Sequence, residues 1–485
     1  MKSLLKWQMV SFASRSMAMA IGIVQSIVIV RILSVGEYGL VTLAASIGGA
    51  FGIYQHLGLA SGSTREIASA DDDGEVFKIF ITSVVIRYFV TIPLAIILFI
   101  FSKSIAVSQY SNEALIIPLR IFSFVLLIQG VQSMFNSVIS GTQRFKQLFI
   151  YQVAIAAVGL FIYIPLIYFY RVDGYFYALA AFNLVGSLSL GFLALKPLKG
   201  RLNLPSKADF KRLLKDILSI SMGIYLVKII YTYWQKSGPL LLGLEFTAEE
   251  IGLFGFALLY AAKLMTVSDA ITDVNLPVLS KKFVNNVEEF KGLFVANFNK
   301  IFAFVVFAAV SAVFWVREIF HLLIGSEKYD GSFPFIMPLV FAFVFYSVVN
   351  IVKSSVLIPA KMVKEMIFGY MIMLAATIGF YYFVRPVYGG LSAMAHAMAF
   401  GSFVGLVILS VFSWMKLKFS FINFNHIVLF LIGLLMSFSV FESFSPLKLG
   451  VYVLGSTLYM SALFIMGILT KDQILYLIAK LKRKS

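Results

Sequence analysis

The chain has 485 residues, of which 60% are hydrophobic and 13% are charged, and its mean hydropathy is +0.93. This composition excludes a soluble protein, because a soluble chain of this length could not keep so much apolar surface away from water. Lysine and arginine outnumber aspartate and glutamate by 40 to 23, and the absence of cysteine excludes disulfide bonds and thiolate metal sites.

Apolar runs follow one another almost from end to end, each close to the ~20 residues that cross a ~30 Å hydrocarbon core. They predict an all-α polytopic membrane protein, since the alternating segments of about ten residues that indicate a membrane barrel do not occur. We expect fourteen transmembrane helices, at approximately residues 9–33, 38–59, 79–101, 114–139, 148–170, 174–195, 217–242, 250–275, 298–324, 333–358, 366–384, 389–414, 424–441 and 448–469.

The basic residues of the connecting loops lie almost entirely on one side of the membrane. With the N-terminus inside, the inner segments carry twenty-five lysines and arginines. The outer segments carry five, which are Lys103, Arg171, Lys328, Arg385 and Lys448. Because basic loops stay in the cytoplasm and an even number of spans returns the chain to its starting side, we predict that both termini are cytoplasmic. This topology explains the net charge of +17, so no nucleic-acid partner is expected.

Two polar segments lie outside the spans. Residues 196–216 form the longest inner connection, in which Pro197, Gly200 and Pro205 are interspersed before a stretch that is typical of a helix from Ala208 onward. The C-terminal tail mixes apolar residues with a basic end, KLKRKS. We expect it to lie on the inner leaflet, with anionic membrane lipids as its partners.

The chain repeats itself at an offset of 213 or 214 residues. The matched pairs are Glu37 and Glu250, Gly39 and Gly252, Leu40 and Leu253, Arg15 and Lys228, Asn136 and Asn350, and Ser140 and Ser354. Since six spans separate the partners, both halves enter the membrane in the same direction, related by a pseudo-twofold axis along the membrane normal. We therefore predict an N-terminal lobe (1–195), a linker (196–216), a C-terminal lobe (217–415), and two further helices with the tail (416–485). Two such lobes around a cleft are typical of transporters.

Ionisable residues inside the predicted spans point to a cavity, because a charge within a membrane is costly unless it faces water or a partner. The basic ones are Arg15, Arg87, Arg120, Lys228, Lys236, Lys263 and Lys353. Only Asp269 and Asp273 oppose them. The surplus of cations predicts a water-filled cavity that receives an anionic group. The two acids are candidates for coupling a cation, but such a pair more often neutralises nearby lysines, and we keep that as the default interpretation.

Helical spacing gathers polar side chains into stripes on three spans. The stripes include Arg15 and Gln25 on the first span, Gln132 and Asn136 on the fourth, and Tyr225 and Lys228 on the seventh. Such stripes line cavities, although small and polar residues also pack membrane helices together. We assign Arg15 and Lys228 to the cavity. The four histidines lack the spacing of metal ligands and no phosphate-binding loop occurs, so neither a metal nor another cofactor is expected.

Several motifs in the first 150 residues carry a resemblance to a known family. They are VRILSVGEYGL at 30–40, LGLA at 57–60, TRE at 64–66 and GTQRFK at 141–146. This pattern resembles bacterial polysaccharide flippases of the O-antigen type, in the multidrug/oligosaccharidyl-lipid/polysaccharide (MOP) exporter superfamily. Span number and the organisation in halves extend the resemblance over the whole chain.

The resemblance implies a V-shaped, two-lobed transporter of the bacterial inner membrane, and not an enzyme. Its implied substrate is an undecaprenyl-pyrophosphate-linked oligosaccharide that moves from the cytoplasmic to the outer leaflet by alternating access. A polysaccharide polymerase and the chain-length machinery are its implied protein partners. The family's cationic cavity suggests substrate binding at Arg15 and Lys228, and further at Arg31, Arg87 and Lys263, with Gln25 and Asn136 from the polar stripes.

Two other functions compete with this one. A multidrug/cation antiporter of the same superfamily would need acids within its spans, and the first span has none. A membrane polysaccharide polymerase or ligase would need a sizeable outer loop, whereas the longest one here, residues 102–113, has no clustered catalytic groups.

Overall fold

A computed structural model describes residues 2–198, 203–265, 279, 282–283, 286–418, 420–438 and 444–469, with the backbone alone at 2–16 and 219–221. Every regular element within these ranges is a helix. Contacts divide the chain into two compact units, Met1–Gly255 and Phe256–Ser485. The domain boundaries at 195, 216 and 415 stay a prediction.

The first unit contains seven complete helices and the start of an eighth in its described residues. They are α1 (Lys2–Ile32), α2 (Val35–Gly52), α3 (Leu59–Ala68), α4 (Asp73–Lys103), α5 (Ile116–Gly141), α6 (Phe145–Leu195), α7 (Lys207–Leu242) and α8 (Ala248–Ala262). The described helices that follow in the second unit are α9 (Val287–Phe314), α10 (Val316–Ile324), α11 (Phe333–Val352), α12 (Val363–Tyr388), α13 (Gly390–Leu417), α14 (Phe424–Ser437) and α15 (Pro446–Ile465).

A helix lies at each of the fourteen predicted spans, as far as the described residues extend. The long helix α6 holds two of the spans, because its backbone breaks at Arg171 (φ 53°, ψ −122°). Within the described ranges, 8 helices are long and apolar enough to cross a membrane, or 9 if one bent pair forms a single span. The prediction of an all-α polytopic membrane protein is confirmed.

The bent pair corrects one predicted span. We expected a single helix over 38–59 followed by a loop, but α2 ends at Gly52 and α3 begins at Leu59 with a bend of 43°. Leu57 (φ 44°) and Gly58 (φ 70°) lie in the left-handed region, which ends a right-handed helix and is readily adopted by glycine. Hydropathy did not reveal the break, because it does not report backbone dihedral angles and Leu57, Leu59 and Ala60 at the break are apolar.

The start of α7 lies within the predicted linker and contacts α4 of the first unit. The helix begins one residue before the predicted Ala208, with Ser206 as its N-cap. The pKa of Asp209 is lowered from its ordinary value by hydrogen bonds. The largest effect comes from the Ser206 backbone N–H, and the next from Lys78. Lys78 Nζ lies 3.1 Å from Asp209 Oδ2. An apolar core below these contacts joins α3 to α7, and it includes Leu59, Ile79, Val138, Leu190, Leu213 and Ile217.

The second unit is built around α11, whose span is 83% buried. This helix packs against α9 and α13, and α13 packs along α12. Near one end of the unit, Lys448 at the start of α15 donates to both carboxylate oxygens of Glu318, at 2.7 and 2.9 Å. The Lys448 side chain is buried and also lies over the rings of Phe314 and Trp315.

The repeated motif forms a close contact inside the first unit. Both α2 and α8 begin with a reciprocal cap, made by Ser34 with Glu37 and by Thr247 with Glu250. A Cβ atom at Gly39 would lie 1.7 Å from the Ala248 oxygen and 2.8 Å from the Gly252 nitrogen, and a Cβ at Gly252 would lie 2.0 Å from the Val35 oxygen. The matched glycines of the two halves thus permit backbone contact between α2 and α8.

Candidate cationic site

The break between α2 and α3 places irregular backbone among the helices of the first unit. The Tyr225 hydroxyl, on α7, donates to the backbone oxygens of Ile53 and Tyr54 at 3.3 and 3.1 Å. These bonds satisfy carbonyl groups at the end of α2, which membrane lipid could not do. Gln55 is buried, and its side-chain oxygen accepts a hydrogen bond from Thr91 of α4. The break is therefore held from two sides, by α4 and α7.

Arg87 lies beside this break, roughly 21–24 Å from either end of α4 at 1.5 Å per residue. Its relative exposure is 0%. Nη2 donates to Nδ1 of His56 at 3.3 Å, so the ring nitrogen acts as the acceptor. Among the described residues, nothing accepts a hydrogen bond from Nε or Nη1. Donors left unpaired in a buried guanidinium are costly, and they are suited to the oxygens of a phosphate or carboxylate.

Lys228 of α7 adds a second cation at similar depth, about 21 Å from the end of α7 at Leu242. Its side chain is exposed. Its positive charge repels that of Arg87 and disfavours a positive charge on His56. Neither Arg87 nor Lys228 forms an ion pair with any residue in the described ranges. We call His56, Arg87 and Lys228 the cationic cluster. It contains a buried cation behind an exposed one, without a carboxylate to neutralise them.

Of the predicted site residues, the described part of the structure brings together only Arg87 and Lys228. Arg31 ends α1 with an exposed side chain, and Asn136 is exposed on α5. Gln25 packs against α6, since its Oε1 would lie 3.1 Å from a Cβ at Gly159. Lys263 follows α8 in the second unit and is half-buried.

The remaining predicted site residues cannot be placed in this arrangement. Arg15 belongs to α1, but its side chain lies outside the described part of the chain. Asp269 and Asp273 lie outside the described residues altogether. No group of three His, Asp or Glu side chains in the described ranges could hold a metal ion.

His56 and Gln55 were missed by the sequence analysis. The histidines were considered only as metal ligands, for which His56 has no suitably spaced partner. The signal that could have found them is the Leu57-Gly58 pair within an apolar span. A glycine there permits a break, and a broken membrane helix exposes backbone and polar side chains at depth.

The comparisons with known proteins fit this architecture. Residues 28–334, more than half of the chain, match the family described as "Polysaccharide biosynthesis protein". Among curated protein sequences, none is significantly similar to the chain.

Solved structures of transporters share the fold. The inward-facing structure of a multidrug resistance MATE family transporter of the MOP superfamily has a TM-score of 0.70 at 15% identity, covering 84% of this chain and 98% of that one. The lipid II flippase MurJ, in an inward closed conformation, has a TM-score of 0.68 at 14% identity, covering 95% and 98%. The eukaryotic MATE transporter AtDTX14 has a TM-score of 0.62 at 13% identity, covering 84% and 95%.

These neighbours are transporters and a flippase, and none of them is an enzyme. The chain therefore shares its fold with these proteins, in line with the fold that the resemblance implied. The chain belongs to the family of polysaccharide biosynthesis proteins.

Proposed function

We propose that the protein translocates undecaprenyl-pyrophosphate-linked oligosaccharide units from the cytoplasmic to the outer leaflet of the bacterial inner membrane. The observation that carries this proposal is the cationic cluster. Arg87 and Lys228 lie near mid-helix with no carboxylate partner among the described residues. Cations are retained at such depth when they face a cavity or a charged ligand, and a pyrophosphate is such a ligand.

The two cations would have different tasks. Lys228 is exposed and can meet the pyrophosphate directly, while Arg87 lies behind it and adds positive potential in a region of low dielectric constant. The sugar headgroup would enter the cavity while the prenyl chain remains in lipid. Alternating access would then expose the headgroup outward. A polysaccharide polymerase and the chain-length machinery would act on the product, and both termini would be cytoplasmic.

Export of cationic drugs is the second candidate, because multidrug MATE transporters share the fold. A cationic drug needs carboxylates in the cavity, but the described charges near the middle of the predicted spans of the first unit are basic. The basic character of these charges favours an anionic substrate over a cationic drug.

The test is complementation of a deletion strain of the host, with lipid-linked oligosaccharide measured on each leaflet. Wild-type protein should clear the oligosaccharide from the cytoplasmic leaflet. Lys228→Gln should lower the rate by about tenfold or more, since a charge-assisted hydrogen bond contributes about 1.5–3 kcal/mol. Arg87→Gln should also lower the rate, because it removes positive potential from a region of low dielectric constant. Arg87→Lys should retain most activity if Arg87 acts through its charge.

Arg120→Gln is the matched control, because Arg120 is an exposed arginine on α5 that already donates to Ser102. It should complement like the wild type, with all variants present in the membrane at equal amounts. If the glutamine variants also complement fully, the cluster is not the site. If oligosaccharide does not accumulate in the deletion strain while drug sensitivity changes, the protein is an exporter of drugs.

A further inference from the structure

A cavity lies in the first unit, between α4, α5 and the part of α6 that follows Arg171. Its volume is about 790 Å³. We call it the α6 groove, and its lining includes Tyr88, Leu127, Val131, Leu188, Phe192 and Lys196. Leu188 and Phe192 are 67% and 62% exposed, so the groove opens on the outer surface of the helices, where lipid would lie.

The groove is apolar along its length because its hydroxyl groups are already bonded. Tyr88 donates to the Leu127 oxygen at 2.8 Å, and Ser187 donates to the Ile128 oxygen at 3.3 Å. Lys196 provides a charge at one end, with Nζ 5.3 Å from the centre of the Phe192 ring. No carboxylate in the described ranges pairs with Lys196. Such a lining suits a hydrocarbon chain that ends in an anionic group.

The groove is separate from the cationic cluster. Tyr88 follows Arg87 on α4, but the Tyr88 ring lies in the groove while Arg87 is buried against His56. Gly130 of α5 lies next to both regions, since a Cβ there would lie 3.5 Å from the Tyr88 ring and 3.7 Å from the Gln55 side-chain oxygen.

The dimensions of the groove match one leaflet. From Leu184 to Lys196 the helix rises about 18 Å at 1.5 Å per residue, slightly more than half of a ~30 Å hydrocarbon core. Under the predicted topology, Lys196 lies at the cytoplasmic interface. A second basic side chain stands beside it, because Arg144 donates to the oxygens of Leu193 and Ala194 at 2.7 and 3.2 Å. These bonds also offset the negative end of α6, which would otherwise repel an anion.

We propose that the α6 groove binds one anionic phospholipid of the cytoplasmic leaflet, with an acyl chain along α6 and the phosphate at Lys196. A phospholipid fits better than the prenyl chain of a substrate, because a long polyprenyl chain exceeds the depth of one leaflet. The proposal does not depend on the transported substrate.

The test uses full-length protein in phosphatidylcholine vesicles that contain brominated phosphatidylglycerol, a quencher of tryptophan fluorescence. Leu188→Trp and, separately, Leu184→Trp report from the groove, after subtraction of the fluorescence of the unsubstituted protein. Phe161→Trp is the matched control, since Phe161 is 80% exposed on the first part of α6, away from the groove lining. The groove tryptophans should be quenched at lower phosphatidylglycerol content than Trp at 161.

Adding Lys196→Ala should weaken this quenching by about fivefold in lipid content, the equivalent of about 1 kcal/mol per basic residue near anionic lipid. Equal quenching at all three positions, or no effect of Lys196→Ala, would overturn the proposal. A polyprenyl phosphate that displaces the brominated lipid, when added unbrominated phosphatidylglycerol does not, would assign the groove to a prenyl chain instead.

Discussion

At the scale of single residues, the most unusual side chain is Arg87, which is buried with two nitrogens that lack partners among the described residues. The third nitrogen, Nη2, donates a hydrogen bond to His56. His56 lies just beyond the end of α2, where the helix carries partial negative charge. One hydrogen bond and a helix end offset only part of the cost of removing a cation from water. Under the proposed function, Arg87 would be retained for substrate binding at the expense of stability.

This inference predicts that Arg87→Met yields a protein that is at least as heat-stable as the wild type yet fails to complement the deletion strain. Replacing buried charges with apolar residues of similar volume is often neutral or stabilising, by about 1–4 kcal/mol. The measurement is the midpoint of thermal unfolding in detergent, alongside complementation.

Tyr225→Phe provides the contrast, because it removes a hydroxyl that bonds two backbone oxygens at the break. Its midpoint should fall, by the equivalent of about 1 kcal/mol per lost hydrogen bond. A fall for Arg87→Met as large as that for Tyr225→Phe would show that Arg87 holds the fold together.

The sequence could reveal which charges lie at membrane depth but not which of them meet. Arg87 and Lys228 are 141 positions apart, and nothing in their own helices indicates that α4 and α7 converge at the end of α2. Gln25 shows the opposite case, a polar residue on a cavity-like stripe that packs against Gly159. Periodicity in the sequence predicts which residues share one face of a helix. It does not predict which other helix packs against that face.

At the scale of elements, the contact between α2 and α8 is so close that a conformational change would have to keep it intact or separate the two helices. Any Cβ at Gly39 or Gly252 would overlap backbone oxygen atoms of the facing helix. Backbone atoms cannot rotate away as a flexible side chain can, so the two helices must separate. By the predicted topology, both segments lie near the outer face of the membrane.

Gly252→Ala and Gly39→Ala should therefore shift the protein towards a state in which this outer contact is open. The cysteine-free chain allows a single reporter, Thr42→Cys, whose side chain lies against Gly255 in the same contact. Labelling by a membrane-impermeant maleimide added outside should rise several-fold in both alanine variants.

Gly36→Ala is the control for this experiment, because a Cβ at Gly36 would find its nearest atom, the Glu249 nitrogen, at an ordinary 3.9 Å. It should label like the parent. Unchanged labelling in the Gly252 and Gly39 variants, with normal protein levels, would mean that the contact does not open during transport.

Hydropathy predicted the number and order of spans because a membrane requires long apolar helices whatever packs against them. It could not predict the interruption at Leu57-Gly58, because hydropathy carries no information on backbone dihedral angles. The repeat carried information that hydropathy lacked. The glycines matched at an offset of 213 meet each other in space, and both helices begin with the same type of cap.

At the scale of the whole molecule, little sequence is needed to keep this fold. Structures at 14–15% identity superpose with TM-scores of 0.68–0.70. Long apolar helices in the same order are compatible with very different side chains. The cationic cluster and the α6 groove are features of this chain's own side chains, and these features would determine what it carries and which lipid surrounds it.

The orientation in the membrane depends on the loop charges, and it can be tested without disturbing the fold. Ser108 and Ser69 are exposed residues in connections at opposite ends of α4. We expect Ser108→Cys to be labelled by an impermeant maleimide in intact spheroplasts, and Ser69→Cys only after the membrane is permeabilised. Moving the basic inner loops across the membrane would oppose the positive-inside rule at every one of them, so a mixed population is not expected. The reverse pattern would place both termini outside, and Lys196 and the phosphate proposed beside it would then belong to the outer leaflet.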